Sequence, residues 1–347
     1  MGSVDEEIAT FRRDIKKGNS LTSYEIALKT VNILRKVISE YRWANARELM
    51  EEMKEKGKNM MSVASNQSTI GNMVRKVLKI VREEHARCLE EDDNTIEPVR
   101  EESLTKLYLL KSEDTFSRPV ENLRTNMYEA LTDLISELET SREDIINQAA
   151  EHIHSNEVVL TFGYSSIVLA FFKKARKQIE FQVIVVEDAP KFNGQKMAAE
   201  LAQSKIKTTV INDSAAFSIM ARVNKVFIGT HAIMADGGLK AKCGIHNIAL
   251  AAKRHSVPVI VCAALYKLSP EFFTSHDQSS FNKLGCPQEV LNFAECGIPS
   301  DVQVYNPIYD YVPPDLVTLI ISNMLLDKFK SKTFSEEEMP QHTYIDF

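Results

Sequence analysis

The 347-residue chain is poor in cysteine and has one tryptophan, Trp43. Its five cysteines (Cys88, Cys243, Cys262, Cys286 and Cys296) are odd in number, and no two form a CxxC pair. A disulfide framework and a cysteine-paired zinc site are therefore not expected, and the thiols read as reduced, in a cytosolic or nuclear setting. No run of about 18 apolar residues occurs, so no membrane span is expected. The opening stretch MGSVDEEIATFRRDIKK has no apolar core of the kind a signal peptide needs. There is no basic excess: 42 Lys and Arg stand against 48 Asp and Glu, a net charge of −6. Direct nucleic-acid binding is not expected on that balance. Glycines number only 12 and never form GxGxxG, so no nicotinamide fingerprint is present, and no cofactor is expected.

The residues present describe an ordinary globular chain, 44% hydrophobic and 26% charged, long enough for two domains. The first half has helical period. Residues 22–41 place Ile26, Val31, Leu34, Val37 and Ile38 on one stripe, and Thr22 with Glu25 forms a capping-box pattern. A second helix is expected over 44–57, closed by Gly57, and a third over 69–91 with Met73, Val77, Ile80 and Val81 aligned. The acidic run EEDDNTIEPVREE (90–102) and the stretch after it read as a poorly ordered insertion near 92–118. Two more helical segments follow between 120 and 154. Trp43, between two helices, reads as packing or an interface anchor.

In the second half the period changes. Short β-branched runs at 158–162, 182–188, 207–213, 225–233, 258–265 and 301–307 alternate with helix-sized segments. Continuous apolar strands separated by helices predict a parallel sheet covered on both faces. The fold class is α/β: an all-helical domain (1–150), then a Rossmann-like doubly wound parallel-sheet domain (151–330), with a mobile tail (331–347). The apolar stretch 316–326 reads as sheet cover or partly as interface.

In such a sheet, ligands sit beyond the carboxyl ends of the strands. After the first run, Gly163 allows a tight turn; Ser165 and Ser166 stand at a helix start, where Ser166 reads as a cap and the pair also suits an anion. After the second run, Asp188 reads as a solvated loop carboxylate or a functional one, with Pro190 and Asn193–Gly194 forming a turn. After the third, Asp213 and Ser214 are cap candidates. After the fourth, His231 stands near a strand end, able to titrate near neutrality, and Asp236, Gly237 and Gly238 open a loop whose backbone could wrap a phosphate. Cys243 reads as packing inside the next helix and Cys262 as strand core. His152 and His154 alone are too few for a metal site, and none is expected.

Three segments together carry a resemblance: STIGNMVRKVLKIVREE (68–84), IGTHAIMADGGLKAKCGIHNIALAAKRHSVPVIVCA (228–263) and YNPIYDYVPPDLVTLIISN (305–323). The chain resembles the initiation factor 2B alpha/beta/delta family, which is related to methylthioribose-1-phosphate and ribose-1,5-bisphosphate isomerases. The likeness spans roughly 20–325. Asn306, Pro307, Asp310, Pro313 and Pro314 are its signature and a candidate interface. RWANARELM (42–50), EHIHSNEVVLTFGYSS (151–166) and ARVNKVFIGT (221–230) fit the beta branch.

The resemblance implies a pseudo-enzyme. The isomerases use a cysteine after the first strand and an aspartate after the fourth; here Gly163 and His231 stand at those places. Moving a proton between sugar carbons needs a positioned acid–base pair, and glycine supplies none. What is implied instead is a regulatory subunit of the guanine-nucleotide exchange factor for translation initiation factor 2. It would pair with a homologous delta subunit, assemble with the alpha, gamma and epsilon subunits, and help sense phosphorylation of the alpha subunit of the substrate factor. The alternative is a residual aldose–ketose isomerase, or a sugar- or nucleotide-phosphate sensor in a vestigial pocket of Gly163, Ser165, Ser166, His231, Asp236, Gly237 and Gly238.

Overall fold

The computed structural model describes residues 3–16, 21–62, 67–92, 115–120, 122–273, 281–292 and 302–323. Residues 93–114 of the expected insertion, the tail 331–347 and Cys296 lie outside the described residues. The chain divides into two compact units between Glu139 and Thr140.

The first unit is helical: α1 Ser3–Lys16, α2 Ser23–Glu40, α3 Ala46–Met61, α4 Ser68–Asp92 and α5, Leu123–Asn147, which runs past the division. The capping box at the start of α2 is formed. The Glu25 amide donates to Thr22 Oγ1, and the Thr22 amide donates to the Glu25 carboxylate at 2.7 Å. Ile26, Val31, Leu34, Val37 and Ile38 are all buried, as their spacing predicts. Gly57 does not close α3, which continues to Met61. A Cβ at Gly57 would come within 2.9 Å of Val74, so the glycine serves the close approach of α3 to α4. Trp43 is half-buried, its indole N–H on the Ile38 carbonyl and Arg124 over its ring.

The second unit holds α6 Ala149–His152, then β1 Val158–Phe162, α7 Ser166–Ala175, β2 Gln182–Val186, α8 Asn193–Gln203, β3 Lys207–Ile211, α9 Ala216–Met220 and β4 Lys225–Gly229. A hairpin follows, β5 Ala232–Ile233 and β6 Leu239–Lys242, then α10 Ile245–Arg254, β7 Val259–Cys262, α11 Pro287–Val290, β8 Tyr309–Val312 and β9 Leu319–Ile321. Six strands form a parallel sheet in the order β3-β2-β1-β4-β7-β9. Alternate residues feed two cores. Val159, Phe227, Ile260 and Cys262 pack with α7 and α8 on one face, while Leu160, Ile228 and Val261 pack with α9 and α10 on the other. Each fully buried side chain of this size contributes about 1.5–3 kcal/mol over exposure. This is the doubly wound α/β unit the sequence predicts.

Three expectations are corrected. The run 225–233 is not one strand: β4 stops at Gly229, and Ala232–Ile233 pairs antiparallel with β6 in a separate three-stranded sheet with β8. Residues 302–306 are not a strand. The sixth parallel strand is instead Leu319–Ile321, from the segment read as cover or interface, because its LII matches the apolar edge of β7.

Candidate functional site

The strand order reverses direction between β1 and β4, so the crevice beyond their carboxyl ends is where such a sheet holds ligands. At the end of β1, Gly163 has φ +56° and donates its amide to the Val186 carbonyl at 3.0 Å. A Cβ at this position would meet the Asp188 carboxylate at 2.6 Å. Asp188 is 7% exposed, which corrects the reading of a solvated carboxylate. Its Oδ2 accepts from Lys242 Nζ at 3.0 Å and from Asn193 Nδ2 at 2.9 Å. The Lys242 ammonium also reaches the Tyr164 carbonyl at 3.3 Å. The loop after β2 is thus tied to β6 by the Asp188–Lys242 pair, whose ammonium also reaches the exit of β1.

Asp213 does not cap. Its carboxylate accepts the Asp188 and Ala189 amides, while Asn212 caps the turn that follows. Ser165 occupies the position before α7 but makes no capping bond. Its hydroxyl lies against Gly229, where a Cβ would come within 2.4 Å, so the last residue of β4 must be small. Ser166 is the first residue of α7.

His231 packs on Tyr309, ring centroids 4.8 Å apart, with Nε2 3.4 Å from the phenol oxygen. Burial pushes the Tyr309 phenol up to about 12. Asp236, Gly237 and Gly238 form the tip of the β5–β6 hairpin. Asp236 accepts the Gly238 amide at 2.8 Å and the Tyr311 hydroxyl at 2.5 Å, and the Gly237 amide donates to the Met234 carbonyl. Both glycine amides are thus used within the hairpin. Among the described residues no hydrogen bond joins this tip to Gly163 or Ser165.

Cys243 lies before α10 and not inside it. Its thiol is pushed up to about 11, by burial first and then by Asp310, so it stays a thiol at neutral pH. Asp310 accepts the Gly244 amide at 2.7 Å and fixes this turn. Asn306 donates to the Cys286 carbonyl and the Glu289 carboxylate; Pro307 bridges to Leu284. Pro313 leads into the turn Pro314–Leu316, and Pro314 borders Gly237. Lys242 was missed in the sequence; the alternation of LKAK beside the glycine pair was the only signal. Among the described residues no cluster of three metal-ligating side chains occurs, and no helix is long and apolar enough to cross a membrane.

The model of the initiation factor 2 subunit family matches residues 20–324. The chain belongs to this family. Within the initiation factor 2 subunit family it is 37% identical to "Translation initiation factor eIF2B subunit beta" of Dictyostelium discoideum, over 91% of this chain and 90% of that protein. It is 33% identical to the protein of that name in Schizosaccharomyces pombe, over 91% of each. Its fold matches a chain of the tetrameric eIF2B-beta2-delta2 complex from C. thermophilum, with TM-score 0.70 and 22% identity over 93% of this chain and 90% of that one. It also matches eIF2B beta from Chaetomium thermophilum, with TM-score 0.67 and 22% identity over 97% and 93%. The family expected from the three sequence segments is the family found.

Proposed function

We propose that this chain is a non-catalytic, beta-type regulatory subunit of the guanine-nucleotide exchange factor for translation initiation factor 2. The observation that carries this reading is the 37% identity, over nine-tenths of both chains, to a protein named as that subunit. The doubly wound domain would pair with a homologous delta subunit, and the assembly would include alpha, gamma and epsilon subunits. The helical domain would help bind the substrate factor and sense phosphorylation of its alpha subunit, in the cytosol.

The strand ends support a role without catalysis. Gly163 offers no acid or base group, and Asp188 lies against it. His231 faces Tyr309, whose phenol stays protonated. A proton transfer between sugar carbons needs two positioned groups, and this pair does not supply them.

A second reading, retained recognition of a sugar or nucleotide phosphate, draws support from Lys242. Its half-exposed ammonium stands at the crevice beside the Tyr164 carbonyl. A panel of such phosphates at millimolar concentration would raise the melting temperature on this reading, and no shift would count against it.

The main test is purification of the tagged chain from gently lysed cells, with co-purifying proteins identified by mass spectrometry. Near-stoichiometric alpha, gamma, delta and epsilon subunits together with initiation factor 2 are expected. Recovery of the chain alone, in salt that preserves other complexes, would overturn the reading.

A further inference from the structure

Parallel topology brings the carboxyl ends of α7 and α8 and the first residues of β2 and β3 to one end of the sheet, opposite the crevice. Four lysines gather there. Lys174 closes the last turn of α7, and the Lys177 amide bonds back to its carbonyl at 3.2 Å. Lys205 precedes β3, and its carbonyl accepts Arg176 Nε at 3.0 Å, which ties the exit of α7 to the entrance of β3. Lys207 starts β3, opposite Gln182. Lys177, Lys205 and Lys207 are exposed and Lys174 is half-buried.

None of these four makes an ion pair among the described residues. The neighbouring acids are engaged elsewhere: Glu180 by Arg176 at 3.1 Å, and Glu200 by Lys173 at 3.4 Å. A cation in the last turn of a helix complements the helix dipole, which accounts for Lys174. Lys177 and Lys205, two residues past the carboxyl ends of α7 and α8, share in that effect, whereas Lys207 in β3 does not. In a chain of net charge −6, an end where four lysines without ion partners among the described residues outnumber Glu180, itself held by Arg176, raises the local potential and favours an anionic partner. β3 is also an edge of the sheet, and Val210 on it is 44% exposed. An extended chain could run along this strand while its carboxylates meet the lysines.

We propose that this lysine-bearing end of the sheet domain is a docking face for an acidic, extended polypeptide segment. An RNA strand is the poorer fit, because the patch carries no aromatic ring on which bases could stack. The inference does not depend on the proposed regulatory role.

The test titrates the full chain with a fluorescein-labelled Asp/Glu-rich peptide at low ionic strength and, separately, with a single-stranded RNA of equal charge. Binding of the peptide is expected. Changing Lys174, Lys177, Lys205 and Lys207 together to Glu, or in a second variant to Gln, is expected to weaken it about tenfold or more, with unchanged circular dichroism. Reversing Lys16, Lys54, Lys191 and Lys283 to Glu changes net charge equally and is expected to cost less than about threefold. No binding, tighter binding of the RNA, or equal loss in the control variant would each overturn the proposal.

Discussion

Asp188 fills the space that a side chain at Gly163 would need. Its carboxylate would lie 2.6 Å from a Cβ there, and the glycine backbone sits at φ +56°. Position 163 is therefore closed to a nucleophile by both conformation and packing. Gly163→Cys is expected to destabilise the sheet domain by about 2–4 kcal/mol, from left-handed strain plus overpacking. Urea unfolding of the variant would measure this. No sugar-phosphate isomerisation should appear in the variant, and turnover in a chromatographic assay would contradict this account of the strand ends.

The Asp188–Lys242 pair should couple strongly for a loop contact, because the carboxylate is nearly buried while the ammonium is half-exposed. Asp188→Asn and Lys242→Met are each expected to cost about 1–3 kcal/mol. In the double variant the costs should fall short of additive by about 1 kcal/mol or more. Additive losses in a double-mutant cycle would mean that the pair is incidental.

Thr22 should matter to the helical unit in proportion to one cap. Thr22→Ala removes the acceptor for the Glu25 amide and is expected to cost about 1 kcal/mol; Thr22→Ser should cost much less. Hydrogen exchange in the first turn of α2 would locate the loss.

His85 gives the helical unit a pH dependence. The ring is fully buried against Phe116, and burial holds its pKa below the ordinary imidazole value. The unfolded chain therefore binds a proton that the folded chain refuses. Stability should be complete above about pH 6.5 and fall as pH drops from there through the lower folded value. Melting curves between about pH 7.5 and 5 would show this, and His85→Leu should flatten the slope. An unchanged slope in the variant would assign the dependence to other groups.

Local order was legible because it depends on neighbours in the chain. The stripe from Ile26 to Ile38, the Thr22–Glu25 cap and the apolar runs of β1, β2 and β7 needed only spacing and side-chain type. Gly57 misled because the same residue serves a helix end or a close helix contact, and only the approach of Val74 decides between them. The run 225–233 misled because a strand continuing straight and one turning into a hairpin share the same alternation. Leu319–Ile321 became a strand because the edge of β7 was open to it, which no local pattern encodes.

The sequence by itself determined the order of helices before a parallel sheet, the α/β class and, through three segments, the family. Tertiary structure alone decided what stands at the strand ends. Asp188, Lys242 and Asp310 are far apart in the chain and change meaning only when folding removes water from around them. A carboxylate that would be a solvated loop charge becomes, once buried beside an ammonium and a glycine, the group that shapes the site.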